Sequence, residues 1–279
     1  MPGVIEERGS KTAAEAAPRE RVISSNGSEI IELSPPVAYA MANEWYQFAS
    51  AIHFFFQWRF AVMQQVLGPD SFAEPVLEVG CGNAVARGQI EDHYGCTVDG
   101  CDVNPEALRQ AERGRGKLYL YDIHQRRPEW RDHFATIFLL DTLEHIGEPE
   151  RFLESIAYHL RPGGRLLITV PALPMLFSRY DEADGHVKRY RVGVLRQELA
   201  AAGLTLERHS FWGLSMIPVL LARKLILRFL PRERAIEVGF QPPSRLVDGV
   251  LRGLMHAERC LWSRPIIGTS FVALARKGV

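Results

Sequence analysis

Short apolar runs alternate with longer mixed stretches over most of this chain, and the alternation predicts its architecture. The runs are Val76-Leu77-Glu78-Val79, Cys96 to Cys101, Lys117 to Tyr121, Ala135 to Leu140, Arg165 to Val170 and Leu204 to Phe211. Stretches of helical character separate them, which is the order a doubly wound α/β sheet requires. A last strand is predicted at Thr269 to Ala275. Upstream, residues 36–67 read as a helical region heavy in aromatics, including Trp45, Phe54, Phe55, Phe56 and Trp58. Residues 1–34 are mixed polar and small, with glycines and a proline breaking any period, and read as a largely disordered tail. The resulting division is a tail at 1–34, a helical cap at 35–73, a core at 74–212, a helical insertion at 213–266 and a last strand with the C-terminus at 267–279.

The insertion separates the sixth strand from the seventh. Within it, Pro218 to Leu230 starts with proline in the first turn and keeps Arg223, Lys224 and Arg228 on one face, about 140° wide by the helical period. The rest of that helix is apolar. Three charges make it a poor membrane span. Such a helix can lie on a membrane surface, cover a lipid-like substrate, or pack on the domain or on a second subunit.

The end of the first strand carries the candidate chemistry. Glu78-Val79-Gly80-Cys81-Gly82-Asn83-Ala84 is a strand running into a glycine-rich turn, where only glycine lets a ligand approach the backbone closely. About twenty residues on, the second strand ends at Asp102, whose carboxylate can accept from both hydroxyls of a ribose. A dinucleotide fingerprint needs a small residue at position 85, and Val85 stands there. A nicotinamide cofactor, and with it an oxidoreductase, is therefore disfavoured.

The run Leu77 to Ala84 resembles the E/D-x-G-x-G-x-G first motif of class I S-adenosylmethionine methyltransferases, with alanine for the third glycine. The resemblance continues in order through Asp122-Ile123 after the third strand, Asp141-Thr142-Leu143-Glu144-His145-Ile146 after the fourth, and Leu160-Arg161-Pro162-Gly163-Gly164 before the fifth. It covers roughly residues 53–210. It implies a Rossmann-like, seven-stranded sheet with the helical cap and insertion appended, and S-adenosylmethionine as cofactor. By the same resemblance Gly80 and Gly82 give backbone access to the methionine portion and Glu78 acts near its amino group. Asp102, with Val103 beside it, binds the ribose; Asp122 and Ile123 frame adenine; Leu140 offers its backbone carbonyl.

Methyl transfer to a hydroxyl gains from a base, and histidine suits the role. His145 follows the fourth strand. His186 lies in Asp181-Glu182-Ala183-Asp184-Gly185-His186-Val187-Lys188-Arg189-Tyr190, which resembles a D-x-x-x-G-H-x-R-R-Y element of a bacterial methyltransferase subfamily and, more loosely, the G-T-H loop of ubiquinone-biosynthesis O-methyltransferases. Both are candidate catalytic residues, although His145 can equally cap its loop. Asp181, Arg189 and Tyr190 are candidate substrate contacts or parts of a salt-bridged hinge. His53, in a His53-Phe54-Phe55-Phe56 run that resembles the family's H-F/W-W-F element, is a candidate pocket residue.

Composition narrows the substrate. Thirty-three basic residues balance thirty-three acidic ones, so no global field draws nucleic acid. No N/D-P-P-Y/F/W motif follows the fourth strand, which disfavours amino-methylating DNA enzymes. Cys81, Cys96, Cys101 and Cys260 form no C-x-x-C pair and read as reduced thiols of a cytoplasmic protein, peripheral to a membrane if the insertion contacts one. The start of the chain shows no signal peptide pattern. The reading is a metal-free methyltransferase of a small or lipid-like acceptor, most naturally at oxygen. Residues 213–262 offer a membrane contact or a homodimer contact. The alternatives are nitrogen or carbon methylation of a secondary metabolite, and a non-catalytic binding protein on the same fold.

Overall fold

The computed structural model describes residues 21–23, 27, 29–37, 46, 50–68, 72–229, 244–262 and 265–279. Strands in chain order are β1 (Arg21–Ile23), β2 (Glu29–Glu32), β3 (Val76–Val79), β4 (Val98–Asp102), β5 (Leu118–Leu120), β6 (Phe134–Leu140), β7 (Leu160–Pro171), β8 (Leu204–Trp212) and β9 (Ser270–Lys277). They form one sheet in the order β1-β2-β5-β4-β3-β6-β7-β9-β8. Strands β2 to β7 pair parallel, while β9 runs antiparallel between β7 and β8. The chain winds outward from β3 through β4 and β5, then returns to β6 on the other side of β3. That reversal opens a crevice at the carboxyl ends of β3 and β6, where ligands of such sheets bind.

Strands β3 and β6 are buried at every position, as parallel strands covered on both faces must be. One face packs on α4 (Pro149–His159) and α6 (Val192–Ala201), with Ile156, Leu195 and Leu199 meeting Leu77, Ile137 and Ile168. The other packs on α1 (Phe54–Leu67) and α2 (Val85–Tyr94), with Trp58, Val62, Met63 and Ile90 meeting Val98, Phe138, Leu167 and Leu274, and the short α3 (Pro105–Arg109) follows β4. Both layers are built from aliphatic and aromatic side chains that lose nearly all contact with water.

The doubly wound sheet matches the sequence reading, with two strands more than the expected seven. Residues 21–34, read as part of a disordered tail, instead supply β1 and β2, and β2 pairs with β5 through Ile30–Leu118, Ile31–Tyr119 and Glu32–Leu120. Past β2 the chain stays close: the Leu33 amide donates to the Leu120 carbonyl at 2.9 Å and the Val37 amide to the Val103 carbonyl at 3.4 Å. The expected tail at 1–20, and the cap residues 38–45 and 47–49, lie outside the described residues.

Between β8 and β9 stand α7 (Ile217–Leu227) and α8 (Arg245–Leu261). The face of α7 carrying Arg223 and Lys224 turns toward the domain: Arg223 lies 4.2 Å over the Tyr180 ring, and Lys224 Nζ donates to the Met175 carbonyl at 2.6 Å. No helix among the described residues is long and apolar enough to cross a membrane.

Candidate functional site

The crevice opens into a cavity of about 860 Å³, lined from the ends of β3, β4 and β6, from α1, and from α7 and α8. That volume suits a cofactor with a second molecule beside it. At its floor, the turn after β3 is locked onto β4. The Gly80 amide donates to the Cys101 carbonyl at 2.8 Å, and the Gly82 amide donates to Asp102 Oδ2 at 2.8 Å. Both glycines have positive φ, 71° and 53°. A Cβ on Gly80 would lie 2.6 Å from Thr142 Oγ1, and one on Gly82 would lie 2.8 Å from the Tyr46 ring. Ala84 takes the position of the third glycine with a left-handed φ of 61°, as the N-cap of α2. Its methyl is fully buried, so packing holds a conformation that alanine otherwise avoids.

Asp102 spends both carboxylate oxygens on backbone, since Oδ1 accepts from the Asn104 amide at 2.8 Å. Burial raises its pKa and those amides oppose the rise. Glu78 is 2% exposed, and its Oε2 has no hydrogen-bond partner. Burial pushes its pKa up to about 7, against the attraction of Arg59 and Arg87. Asp122 caps the turn Ile123–Gln125 through the His124 amide, and Ile123 is buried against the cavity. The Leu140 carbonyl accepts from Thr142 Oγ1 at 3.1 Å. Val103 completes the wall.

The second half of the wall follows β6 and β7. The turn Leu143–His145 directly after β6 sets Glu144 and His145 on the cavity, and α5 (Arg179–Ala183) with the loop after it sets Asp184 and His186 opposite them. His186 Nδ1 lies 3.1 Å from Asp181 Oδ1, and its Nε2 lies 3.2 Å from Asp184 Oδ2 and 4.0 Å from Glu144 Oε1. Burial alone would lower its pKa, but the hydrogen bonds to Asp181 and Asp184 and the charge of Glu144 outweigh burial and raise it to about 10. Both ring nitrogens face carboxylates, which favours the imidazolium form and leaves no ring nitrogen turned to an acceptor. This arrangement favours a positioning role for His186 over the expected role of base.

His145 has the opposite character. Its ring meets that of His186 edge to face, centroids 4.7 Å apart. Burial, reinforced by the positive charge of His186, lowers its pKa to about 4. It is neutral at pH 7 and a weaker base than an ordinary histidine. Glu144 beside it is raised to about 8 by burial, against the pull of His186, and its Oε2 has no hydrogen-bond partner.

Asp181 and Tyr190, expected at the substrate, stand behind this wall. Asp181 is fully buried; it accepts from the Ser178 amide at 2.8 Å and from Arg189 Nε at 2.7 Å, and these bonds with His186 hold its carboxyl well below the usual range despite burial. Tyr190 donates to the Leu143 carbonyl at 3.4 Å. Arg189 reaches the cavity edge while donating to the Ala172 carbonyl at 3.3 Å. His53 lines the cavity too, with Nδ1 accepting from the Phe55 amide at 3.2 Å as the N-cap of α1.

Arg59 was not singled out from the sequence. It projects from α1, 4% exposed, to Asp141 Oδ2 at 2.6 Å, and Thr169 Oγ1 donates to Asp141 Oδ1 at 2.8 Å. The signal was present in Phe54-Phe55-Phe56-Gln57-Trp58-Arg59-Phe60, where a cation interrupts an aromatic run. Buried polar atoms without partners are rare in folded chains. Arg59 Nε, Glu78 Oε2, Glu144 Oε2, Asp184 Oδ1 and Trp212 Nε1 are such atoms, and all five residues line this one cavity. Glu144, His145 and His186 can also bring one ligand atom each within 4.8 Å of one another, the spacing of a metal centre. The engagement of both His186 nitrogens by carboxylates opposes that use.

The profile of a family described as "Methyltransferase domain" matches residues 40–209. A ubiquinone biosynthesis O-methyltransferase of Proteus mirabilis is 27% identical over 104 residues, which is 35% of this chain and 42% of the relative. A phosphoethanolamine N-methyltransferase 2 of Caenorhabditis elegans is 27% identical over 42% of this chain and 27% of its own length. The match thus spans less than half of either relative. Among solved structures, the [4+2]-cyclase SpnF superposes with a TM-score of 0.55 over 88% of this chain and 89% of its own, at 18% identity. That likeness shows the fold and leaves the reaction to the site.

Proposed function

The chain belongs to the methyltransferase-domain family, and from that premise we propose that it transfers the methyl group of S-adenosylmethionine to an oxygen of a small, lipid-like acceptor, with His145 taking the proton. The observation that carries the reading is one continuous cavity. Its floor is the glycine turn with Glu78 and Asp102, and its other end is walled by Trp212, Met216, Leu220, Ile226, Val247 and Leu251.

The floor fits the cofactor. Gly80 and Gly82 leave space that a Cβ would fill. The partnerless Glu78 Oε2 suits a cationic amino group, and Asp102 with Val103 suits a ribose. Asp122 and Ile123 suit adenine, and the Leu140 carbonyl keeps a second lone pair for the amino group. When bound, S-adenosylmethionine supplies a methyl group already made electrophilic by its sulfonium. The chain's own residues position the acceptor and exclude water. Arg59, fixed by Asp141, closes the side of α1. Burial and the imidazolium of His186, held by Asp181 and Asp184, keep His145 neutral, so it accepts a hydrogen bond from the acceptor's hydroxyl and takes the proton as the oxygen gains positive charge on forming its bond to the methyl carbon while the sulfur–carbon bond breaks. The mechanism so read uses no metal.

The apolar end favours an acceptor with a hydrocarbon tail. An amine acceptor is the second reading, favoured by the buried Glu144 and Asp184 carboxylates, which would hold a cation. Incubation with carbon-13-methyl S-adenosylmethionine and lipid extracts tests both, because the carbon shift of the product separates oxygen from nitrogen and carbon. His145→Gln should lower turnover on the acceptor by roughly 100-fold or more while affinity for S-adenosylhomocysteine stays the same. Unchanged turnover would remove His145 from the mechanism. Residues 213–262 are read as a contact surface for a membrane or a second copy.

A further inference from the structure

The helices α7 and α8 turn several charged side chains toward the domain, while Arg228, His256 and Arg259 stay exposed. Arg223 stacks on Tyr180, Arg252 donates to Gln57 and to the Ile52 carbonyl, and buried Glu258 accepts from the amides of Gly213, Leu214 and Ser215. Their outward stripes are apolar: Leu221, Leu225 and Phe229 along and just past α7, and Leu246, Val250 and Leu254 along α8. Phe229 is 86% exposed and Leu246 79%. Of the nineteen exposed large apolar residues described, thirteen lie between residues 213 and 267. Concentration of this kind marks an interaction site, not the scattered exposure every surface has.

We infer that this surface docks the protein on an anionic lipid bilayer and that the acceptor enters the cavity from the bilayer through the gap between α7 and α8. Two observations choose the occupant. First, the surface is continuous with the cavity, since Val219, Ile226 and Val247 line the cavity and are also exposed. Second, the exposed cations of these helices are Arg228 and Arg259, with Lys224 half-buried at their edge, and the acids among described residues 213–262 are Asp248 and Glu258. Both acids are consumed internally, Asp248 by Arg252 and Glu258 by the backbone of the turn before α7. The field there is positive, so a second copy meeting the same patch would face like charge, whereas acidic headgroups attract it. Apolar stripes flanked by arginine match a headgroup boundary, where the side chains enter the acyl region and the cations stay at the phosphates. The entry route rests on the function proposed above; the docking itself does not.

The test is co-sedimentation of the full chain with vesicles of phosphatidylcholine alone and of phosphatidylcholine with phosphatidylglycerol, beside calorimetry with S-adenosylhomocysteine. Leu225→Asp/Phe229→Asp is the variant; neither residue lines the cavity. Wild type should sediment with the anionic vesicles and be released by salt, and the variant should lose binding by roughly tenfold or more with its affinity for S-adenosylhomocysteine intact. Wild type left in the supernatant, equal binding by the variant, or a dimer that the variant abolishes would overturn the docking. Any of these with S-adenosylhomocysteine still bound would leave the methyltransferase reading standing. Loss of S-adenosylhomocysteine binding with vesicle binding kept would do the reverse.

Discussion

Replacing His186 by glutamine separates its structural role from a catalytic one. The imidazolium sits 9% exposed among Asp181, Asp184 and Glu144, and its pKa is raised from 6.5 to about 10 by the first two hydrogen bonds and the charge of the third, against burial. The gap between those values sets a ceiling of about 5 kcal/mol on the stabilisation that protonation confers. Glutamine keeps one donor, worth about 1 kcal/mol, and Arg189 still neutralises Asp181. The expected loss at pH 6 is therefore about 3 kcal/mol, or about 10 °C in Tm for a chain of this size. The sign follows from the direction of the shift. A group whose folded pKa lies above its unfolded one contributes fully below about pH 6.5, and the contribution fades as pH climbs through about 10. Urea denaturation of both proteins at pH 6, 8 and 10 reads the difference. It should be largest at pH 6 and shrink to under about 1 kcal/mol at pH 10. A constant difference across that range, or none at pH 6, would refute the account of His186 as a buried cation.

Gly82→Ala places a methyl 2.8 Å from the Tyr46 ring at a φ of 53°; affinity for S-adenosylhomocysteine, read by calorimetry, should fall by roughly tenfold or more. Asp102→Ala removes the acceptor of the Gly82 and Asn104 amides; it should weaken the same ligand and lower stability by about 2 kcal/mol, and undiminished affinity would take Asp102 out of the site. Dialysis against a chelator should leave turnover unchanged, since carboxylates already engage both nitrogens of His186; activity lost and restored by a divalent ion would assign Glu144, His145 and His186 to a metal.

The parallel strands and the glycine turn were legible because they obey local rules. β3 and β6 are short runs dominated by apolar residues and buried at every position, and the backbone after β3 needs positive φ at Gly80 and Gly82. Strands β1 and β2 were not legible. Three and four residues carry too little periodicity, and what fixes β2 is the free edge of β5, a partner nearly ninety positions away. The segment from Asp181 to Tyr190 read as a substrate loop because it is polar and follows a strand end. Whether its charges face a ligand or each other depends on burial, and Asp181 turns inward to collect Ser178, His186 and Arg189. The periodicity of α7 likewise gave two faces without saying which points in; Tyr180 and the Met175 carbonyl decide that for Arg223 and Lys224.

The central claim is that the turn after β3 and the end of β4 hold S-adenosylmethionine. Calorimetric titration of the purified chain with S-adenosylhomocysteine, with NAD and NADP as controls, tests it most directly. Binding of S-adenosylhomocysteine alone, weakened by Asp102→Ala, is the predicted result; a folded protein that ignores S-adenosylhomocysteine, or that prefers a dinucleotide, would contradict it.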